Sequence, residues 1–350
     1  MPALIRGICG GGGKSVTLED CMNIAVTSKM DGIEISWTDP ENILFNDKVT
    51  AEWKGTKLVR KTGSYPASEK DGVLVLDSKV RNAYSETPFK DTGLQPDTMY
   101  YYCLFPYTDK AVTKSDDNRF EAELSIFDPI LRNNTWEIID RASRKGIASD
   151  LWNIGDEIDI TPSGTFNETV TLQIWDFNHF DKSDGSGKAG IVFGLKNLMS
   201  VKGKMNSEDT SFGGWSSSYM KNTVMQQIFN SMSEDLQSVI KLVNTQANNS
   251  PYGAQDSQDK VFLPGLVECG LSISSDEYND GNQIQFPIFT DNTSRIKKLS
   301  NGVGNVEPWW LRSTFTTGAG SYYFTIVNTS GAWTREYASY DKGVCFCFNV

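Results

Sequence analysis

The sequence predicts an all-β sandwich followed by an α+β domain, and three observations support that prediction. From Asn23 to Ser125, apolar residues recur at every second position and turn dipeptides separate the runs. Between Asp128 and Gly146 this pattern breaks, and Thr135 to Arg144 has the spacing of a short helix. Beyond Ile147, alternating runs enclose two stripes of helical spacing before the chain returns to alternation. The expected parts are a flexible leader or attachment segment over 1–22, a sandwich over 23–125, a joint over 126–146 and a larger domain over 147–350. At 350 residues the chain is long enough for two cores.

Charge narrows the function classes. The chain has 33 Lys and Arg against 44 Asp and Glu, a formal net charge of -11. That balance argues against nucleic acid as a partner, because little could neutralise a run of phosphates, and against an anionic membrane surface. No stretch approaches 18 apolar residues, so no spanning helix and no membrane insertion are expected. Met1 to Gly7 lacks the apolar core of a secretory signal, which points to a protein made in the cytosol or exported by some other route. The six cysteines are Cys9, Cys21, Cys103, Cys269, Cys345 and Cys347; they form no CxxC pair and read as buried free thiols.

In the leader, Gly10-Gly11-Gly12-Gly13-Lys14-Ser15 invites a phosphate-loop reading. The pattern needs a glycine where this chain has Ile8, together with a preceding strand and a following helix. A flexible hinge is the sounder expectation. In the sandwich, Ile33, Ile35 and Trp37 alternate with Glu34 and Ser36. Thr50 to Lys61 reads as a second strand with Trp53 inward, and Val73 to Leu76 and Tyr100 to Tyr107 read as further strands. Asp31-Gly32 and Asp71-Gly72 supply turns. Leu94-x-Pro96-x-Thr98-x-Tyr100 resembles the fibronectin type III signature, which implies an immunoglobulin-like sandwich with Tyr100 pinning a loop through its hydroxyl. Trp37-Thr38-Asp39-Pro40, Ala51-Glu52-Trp53 and the Tyr101 to Tyr107 run also resemble modules in tail proteins of phages that infect Gram-positive bacteria.

In the larger domain, Val170, Leu172 and Ile174 alternate, and Ile191 to Leu195 is a short apolar strand. Gly213-Gly214-Trp215 leads into a helix with cap candidates at Ser216 to Ser218 and a stripe of Met220, Val224, Ile228 and Met232. Leu236, Val239, Ile240 and Val243 predict a second helix or helical turn, and Asn244 to Asp259 reads as a polar loop. Short strands are expected around Val261 to Leu263 and Phe286 to Phe289. Gly343 to Val350 reads as a buried closing strand that returns to a sheet begun near the domain's start.

Six pieces in order resemble an uncharacterised family found in phage and prophage proteins of Gram-positive and gut bacteria: Trp152-x-Ile154-Gly155-Asp156, Asp176-Phe177-Asn178-His179, Met205-Asn206, Gly213-Gly214-Trp215-x-x-Ser218-x-Met220, Leu236-x-x-Val239-Ile240-Lys241 and Trp309-Trp310-Leu311-Arg312-Ser313. The resemblance covers about residues 135 to 350. It implies a C-type-lectin-like fold, shared with variable proteins of diversity-generating retroelements, whose receptor-binding residues lie near the C-terminus. The family's ending resembles Gly-Val-Arg-Pro, whereas this chain reads Gly343-Val344-Cys345-Phe346, so the tail is expected to pack differently.

The segment between Arg312 and Gly343 is dense in residues that suit recognition, since Tyr and Trp give large contact areas at low entropy cost. The expected receptor-binding residues are Tyr322, Tyr323, Asn328, Thr329, Trp333, Arg335, Tyr337, Tyr340 and Asp341. With Tyr322 to Val327 as a strand and Phe324 and Ile326 inward, a hairpin would gather Tyr323, Trp333, Arg335 and Tyr337. Tyr100, Trp152, Trp215, Trp309, Trp310 and Arg312 are read as structural, the guanidinium bonded to backbone carbonyls.

Catalysis finds less support in the sequence. The one histidine, His179, rules out a multi-histidine zinc site and reads as a structural residue. Asp181-x-Ser183-Asp184-Gly185-Ser186 resembles a calcium loop, but Val192 stands where a closing glutamate is needed, so Asp181 and Asp184 read as a solvated turn. Glu307-Pro308-Trp309 departs from the Glu-Pro-Asn triplet of calcium-dependent sugar binding. Asp276, Glu277, Asp280, Glu307 and Glu336 could pair as a glycosidase acid and base, as carboxylates of any acidic protein could. No enzyme activity, metal or cofactor is expected. The resemblances imply a receptor-binding protein at a phage tail or fibre tip that recognises a bacterial surface glycan or protein. They also imply other tail or baseplate proteins as partners, a location in the virion, and a homo-oligomer, a trimer by analogy with fibres. A structural baseplate or decoration protein is the rival reading. An enzyme related to formylglycine-generating or glycan-processing proteins is the lesser alternative, and it would need reactive thiols that Cys345 and Cys347 do not offer if buried.

Overall fold

Ile33, Ile35 and Trp37 all point into one core, and the first half of the chain builds on that alternation. The computed structural model describes residues 16–96, 98–249, 251–273, 278–317 and 320–350. The glycine-rich Gly10 to Ser15 segment, Cys9, Asp276 and Glu277 lie outside them. The chain divides into two compact units, Met1–Ile126 and Phe127–Val350. Both are mostly β-sheet, with few helices.

The first unit contains β1 (Met22–Lys29), β2 (Gly32–Thr38), β3 (Ile43–Phe45), β4 (Lys48–Ala51), β5 (Gly55–Thr62), β6 (Val73–Ser78), β7 (Phe89–Asp91), β8 (Tyr100–Tyr107) and β9 (Arg119–Ala122). They form sheets ordered β1-β2-β7 and β6-β5-β8-β9, with β3-β4 as a separate hairpin. Ile33, Ile35 and Trp37 meet Leu58, Tyr102 and Leu104 of the other sheet. The strand expected over Thr50 to Lys61 is two strands, because β4 pairs with β3 while β5 pairs with β6 and β8. Trp53, in the break between them, is buried and donates its indole N–H to Thr56 Oγ1 at 3.0 Å. The end of the expected leader is also packed. Leu18 and Cys21 are buried, the Leu18 carbonyl accepts from Thr113 Oγ1 at 2.9 Å, and the Cys21 N–H donates to Asn118 Oδ1 at 2.9 Å.

The stretch read as a joint is part of the second unit's core. The helix Trp136–Lys145 is capped by Thr135, whose hydroxyl accepts from the Ile138 N–H, and ends at Gly146 in the left-handed conformation (φ 71°). It buries Trp136, Ile139 and Ala142. Its Trp136 ring meets Phe193 and Phe348 edge-on at 5.4 and 6.2 Å. Those two phenylalanines are cross-strand partners in the main sheet.

That sheet has the order β10-β11-β12-β19-β15, from β10 (Glu157–Ile160), β11 (Val170–Phe177), β12 (Ile191–Leu195), β15 (Val261–Phe262) and the last strand, β19 (Cys347–Asn349). β19 lies between β12 and β15 and is wholly buried. Every residue of β12 is buried, as its unbroken apolar sequence requires. Gly194 is needed there, since a Cβ would come within 2.2 Å of the Trp175 ring. A hairpin of β13 (Val243–Asn248) and β14 (Ala254–Asp259), and a three-stranded sheet of β16 (Trp309–Thr317), β17 (Gly320–Val327) and β18 (Trp333–Tyr337), complete the domain.

Four expectations change here. The polar loop of Asn244 to Asp259 is the β13–β14 hairpin, and Val243 opens a strand rather than closing a helix. Phe286 to Phe289 makes a turn, not a strand. The predicted stripe is out of phase because residues Met220–Met225 are π-helical, so Met225 is buried in place of Val224. Of the three serines, Ser218 is the one that caps that helix, accepting from the Lys221 N–H at 3.1 Å.

The burial of β19 leads to a direct prediction. Phe348→Ala should cost about 3–5 kcal/mol in urea unfolding. Leu74→Ala, at a half-exposed position of β6, should change stability by no more than about 0.5 kcal/mol.

Candidate functional site

The sheet β16-β17-β18 has two unlike ends. Trp309 pairs with Val327 and Val327 with Trp333 at one end; Phe315 pairs with Tyr323 and Tyr323 with Tyr337 toward the other. At the first end both faces are covered: Trp309, Trp310, Phe324, Thr325, Ile326 and Val327 are all buried. Toward the second, one face opens to solvent. Tyr323 and Tyr337 lie 4.6 Å apart between ring centroids, and Tyr340 lies 5.6 Å from Tyr337. The Arg335 guanidinium sits over two rings, 5.0 Å from Tyr323 and 5.2 Å from Phe315. Donation of the Tyr323 hydroxyl to the neighbouring Tyr337 raises the Tyr323 phenol above its ordinary pKa. Tyr337 and Tyr340 are 37% and 50% exposed, while Tyr322, on the opposite face of β17, is 47% exposed with its ring edge-on to Tyr323 at 6.2 Å. The result is a strip of stiff aromatic groups around one cation, fixed by strand pairing.

Not every expected contact residue belongs to this strip. Trp333 is half-buried and packs against the domain core, and it adjoins the strip only through Phe315, 5.6 Å away between ring centroids. Asn328 closes the β17–β18 turn, its Oδ1 accepting from the Ser330 N–H at 2.9 Å, the Ser330 hydroxyl at 2.7 Å and the Ala332 N–H at 3.2 Å. Thr329 is exposed in the same turn. That turn is five residues of strand from Tyr323, roughly 16 Å away. Asp341 is exposed beside Tyr340, next to Lys342, which pairs with Glu336 at 2.8 Å.

Two exposed aromatics escape sequence reading. Phe212 and Tyr252, 70% and 69% exposed, meet edge-on at 6.4 Å. Both lie on segments tied to the sheet. The Ser211 N–H donates to the Ser321 carbonyl at 2.8 Å, and the Asn206 N–H to the Ala338 carbonyl at 3.0 Å. Asn248, just before Tyr252's turn, donates its amide to the Thr314 carbonyl at 2.8 Å. The available signal was a large aromatic beside glycines: Phe212 precedes Gly213 and Gly214, both at positive φ, and Tyr252 precedes Gly253.

The residues read as structural lie inside. Trp152, Trp309 and Trp310 donate their indole N–H groups to the carbonyls of Asp128, Arg295 and Gly203, at 3.0, 3.0 and 2.8 Å. Trp215 donates to Asp259 Oδ2 at 3.1 Å. Tyr100 Oη accepts from the Gln95 N–H at 2.9 Å. Arg312 is fully buried. Its Nε donates to the Gln246 carbonyl at 2.9 Å, and Nη1 to the Leu263 carbonyl at 2.8 Å and to Glu268 Oε2 at 2.6 Å, while Nη2 reaches Glu268 Oε1. The carbonyls were expected from sequence; Glu268 was not.

The groups considered for chemistry are engaged in packing. His179 shares a 2.6 Å hydrogen bond between Nδ1 and Asp176 Oδ2, with its ring against Phe180 and Phe286. Asp184 accepts from the Ser186 N–H at 2.8 Å, and hydrogen bonds from Ser186 hold its carboxyl below the usual range. Asp181 pairs with Lys188 at 3.5 Å. Among the described residues, no group of three or more His, Cys, Asp or Glu is placed to hold a metal ion. Glu307 pairs with Lys202 at 2.5 Å, and Asp280 accepts from the Asn248 N–H and the Tyr278 hydroxyl, both at 2.7 Å. Burial pushes the Cys345 thiol up to about 11 and the Cys269 and Cys347 thiols well above their ordinary value, the opposite of nucleophile activation.

Residues 190–350 match the family model of a domain of unknown function, DUF6273. No curated protein matches the chain. Among solved structures, "Titin kinase and its flanking domains" is similar at 13% identity over 53% of this chain and 30% of that chain. Its TM-score of 0.23 supports no statement about fold or activity.

The buried ion pair is open to test. Arg312→Met alone leaves the Glu268 carboxylate buried without its partner and should cost about 3–5 kcal/mol. Arg312→Met combined with Glu268→Leu should lose markedly less than the single variant, measured as urea midpoints and slopes on the same preparations.

Proposed function

We propose that the chain is a phage or prophage tail-tip protein whose second unit binds a receptor on the bacterial surface. The observation that carries the reading is the exposed strip of Phe315, Tyr323, Arg335, Tyr337 and Tyr340, built on strands whose other end is locked in the core. Tyr and Arg dominate binding hot spots because they offer contact area and polar handles with little entropy to lose. Side chains already held by their neighbours lose less still. The receptor is a surface glycan or protein. Adsorption needs no covalent step, and several copies on one particle would raise weak contacts to stable attachment.

In this reading the second unit is a C-type-lectin-like domain akin to retroelement-diversified variable proteins. Its last strand returns to the main sheet while a separate sheet presents the strip. The first unit is a fibronectin type III-like spacer. Three strands facing four, and the Tyr100 hydroxyl holding the chain at Gln95, support that assignment. A second reading, assembly on another tail or baseplate protein, is favoured by the β3–β4 hairpin, which leaves Leu44, Phe45 and Val49 more than half exposed.

The test is binding of the purified full-length chain to intact Gram-positive and gut bacterial cells. Tyr337→Ala and Tyr340→Ala should each weaken binding tenfold or more and leave the melting temperature within a few degrees. Trp333→Ala should lower both, because its ring packs on the core. Binding should persist in EDTA. Full binding by a folded Tyr337→Ala/Tyr340→Ala variant would place the receptor site elsewhere.

A further inference from the structure

A cleft of about 900 Å³ opens beside the β13–β14 hairpin, within the second unit. Its walls are rich in amides and hydroxyls rather than apolar groups; Asn244, Gln246, Asp256, Gln258 and Asn282 form much of them. The size is that of a small-ligand site. The composition says which ligand.

The cations around the cleft are already paired. Lys221 sits 2.9 Å from Asp259, Lys188 sits 3.5 Å from Asp181, and Glu268 is held by Arg312. An anionic ligand therefore meets no unpaired cation among the lining residues. Asp256 is the carboxylate left without a cation, and one of its oxygens already accepts from Gln246 Nε2 at 2.7 Å. An apolar ligand would strip water from the exposed amides of Asn244, Gln258 and Asn282 and return nothing. A neutral polyhydroxylated ligand avoids both problems. Each of its hydroxyls donates and accepts, as does each amide on the wall.

The wall is also held in place. Gln258 Nε2 donates to Asn244 Oδ1 at 3.3 Å, the Asn282 N–H donates to Gln246 Oε1 at 2.8 Å, and the Gln246 carbonyl accepts from Arg312 at 2.9 Å. Gln246 thus uses both polar atoms of its amide, on Asp256 and Asn282, whereas Asn244 and Gln258 use one each. Asn244 Nδ2 and Gln258 Oε1 have no hydrogen-bond partner among the described residues.

We infer that this cleft is a binding site for a neutral saccharide, separate from the aromatic strip. It does not rest on the strip's proposed role. Adhesion through the strip could fail while sugar binding holds, and the reverse.

The experiment is titration calorimetry with saturation-transfer NMR on the full-length chain. The probes are neutral di- and trisaccharides of glucose, galactose, rhamnose and N-acetylhexosamine, with inorganic phosphate and glycerol phosphate as anionic controls. At least one neutral saccharide should bind, and its affinity should fall tenfold or more in Asn244→Ala/Asn282→Ala. It should stay within twofold in Tyr337→Ala. Both substituted asparagines are exposed, so the double variant should keep its near-ultraviolet circular dichroism; Gln258→Ala provides a second, independent probe. Competition by purified cell-wall polysaccharide would mark a surface glycan as the source, and its absence a free sugar; either agrees with the inference. It is overturned if no neutral saccharide binds, if binding survives both sets of substitutions, or if phosphate binds more tightly than every sugar.

Discussion

A guanidinium with no access to water must find acceptors in the protein, and Arg312 draws its acceptors from three places in the chain. Gln246 belongs to β13, Leu263 follows β15, and Glu268 lies in the turn after it. Glu268 in turn accepts from the Gly265 N–H at 2.9 Å, which closes that turn around the ion pair. β16, the hairpin and the edge of the main sheet are therefore fixed relative to one another by one side chain. Such a pair adds little net stability over an apolar replacement, but any arrangement that separates its members leaves a charge stranded. The aromatic strip begins three residues beyond Arg312, at Phe315, and the polar cleft has Glu268 among its lining residues. Both candidate sites inherit their geometry from this contact.

A second buried cation works in the same way at the end of β12. Lys297 donates to the carbonyls of Leu195 and Lys196 at 2.6 and 2.9 Å, where β12 ends. Its ammonium lies 5.3 Å from the Trp175 ring and 5.9 Å from Trp309. Burial lowers its pKa, and the carbonyls and aromatic faces replace part of the lost hydration. The tryptophans of this domain thus act as walls around cations as well as filler. Of the two rings around Lys297, Trp309 is tied through its indole N–H to the Arg295 carbonyl, as Trp152 and Trp310 are tied elsewhere in the core to those of Asp128 and Gly203.

How much of this could be read from the sequence depends on whether the cause is local. Alternation places Phe324 and Ile326 inside and sets Tyr323, Arg335 and Tyr337 on one face, because a strand's period is a property of consecutive residues. The β13–β14 hairpin was illegible for the opposite reason. Asn244-Thr245-Gln246 and Gln255-Asp256-Ser257-Gln258 have no apolar face, and their strand geometry follows from partners elsewhere: Asp259 for Thr245, Thr314 for Asn248, Arg312 for Gln246. Glu268, 44 positions before Arg312, was invisible on the same grounds. The π-helical turn at Met220 shifts a stripe by one residue, an offset that a fixed period of 3.6 cannot anticipate.

The unlike ends of the β16-β17-β18 sheet have a consequence for how this protein can change over generations. Positions at the covered end are constrained by the core, since Thr325, Ile326 and Val327 touch it on both faces. Positions at the open end touch mainly one another, so new side chains can be tried there without unfolding the domain. They are not independent trials, however. Tyr323 contacts both Tyr337 and Arg335, and Arg335 contacts Phe315, so a replacement at one alters what is acceptable at the next. Diversity at this face should therefore accumulate as covarying sets, with Tyr323 as the residue whose exchange most constrains the others.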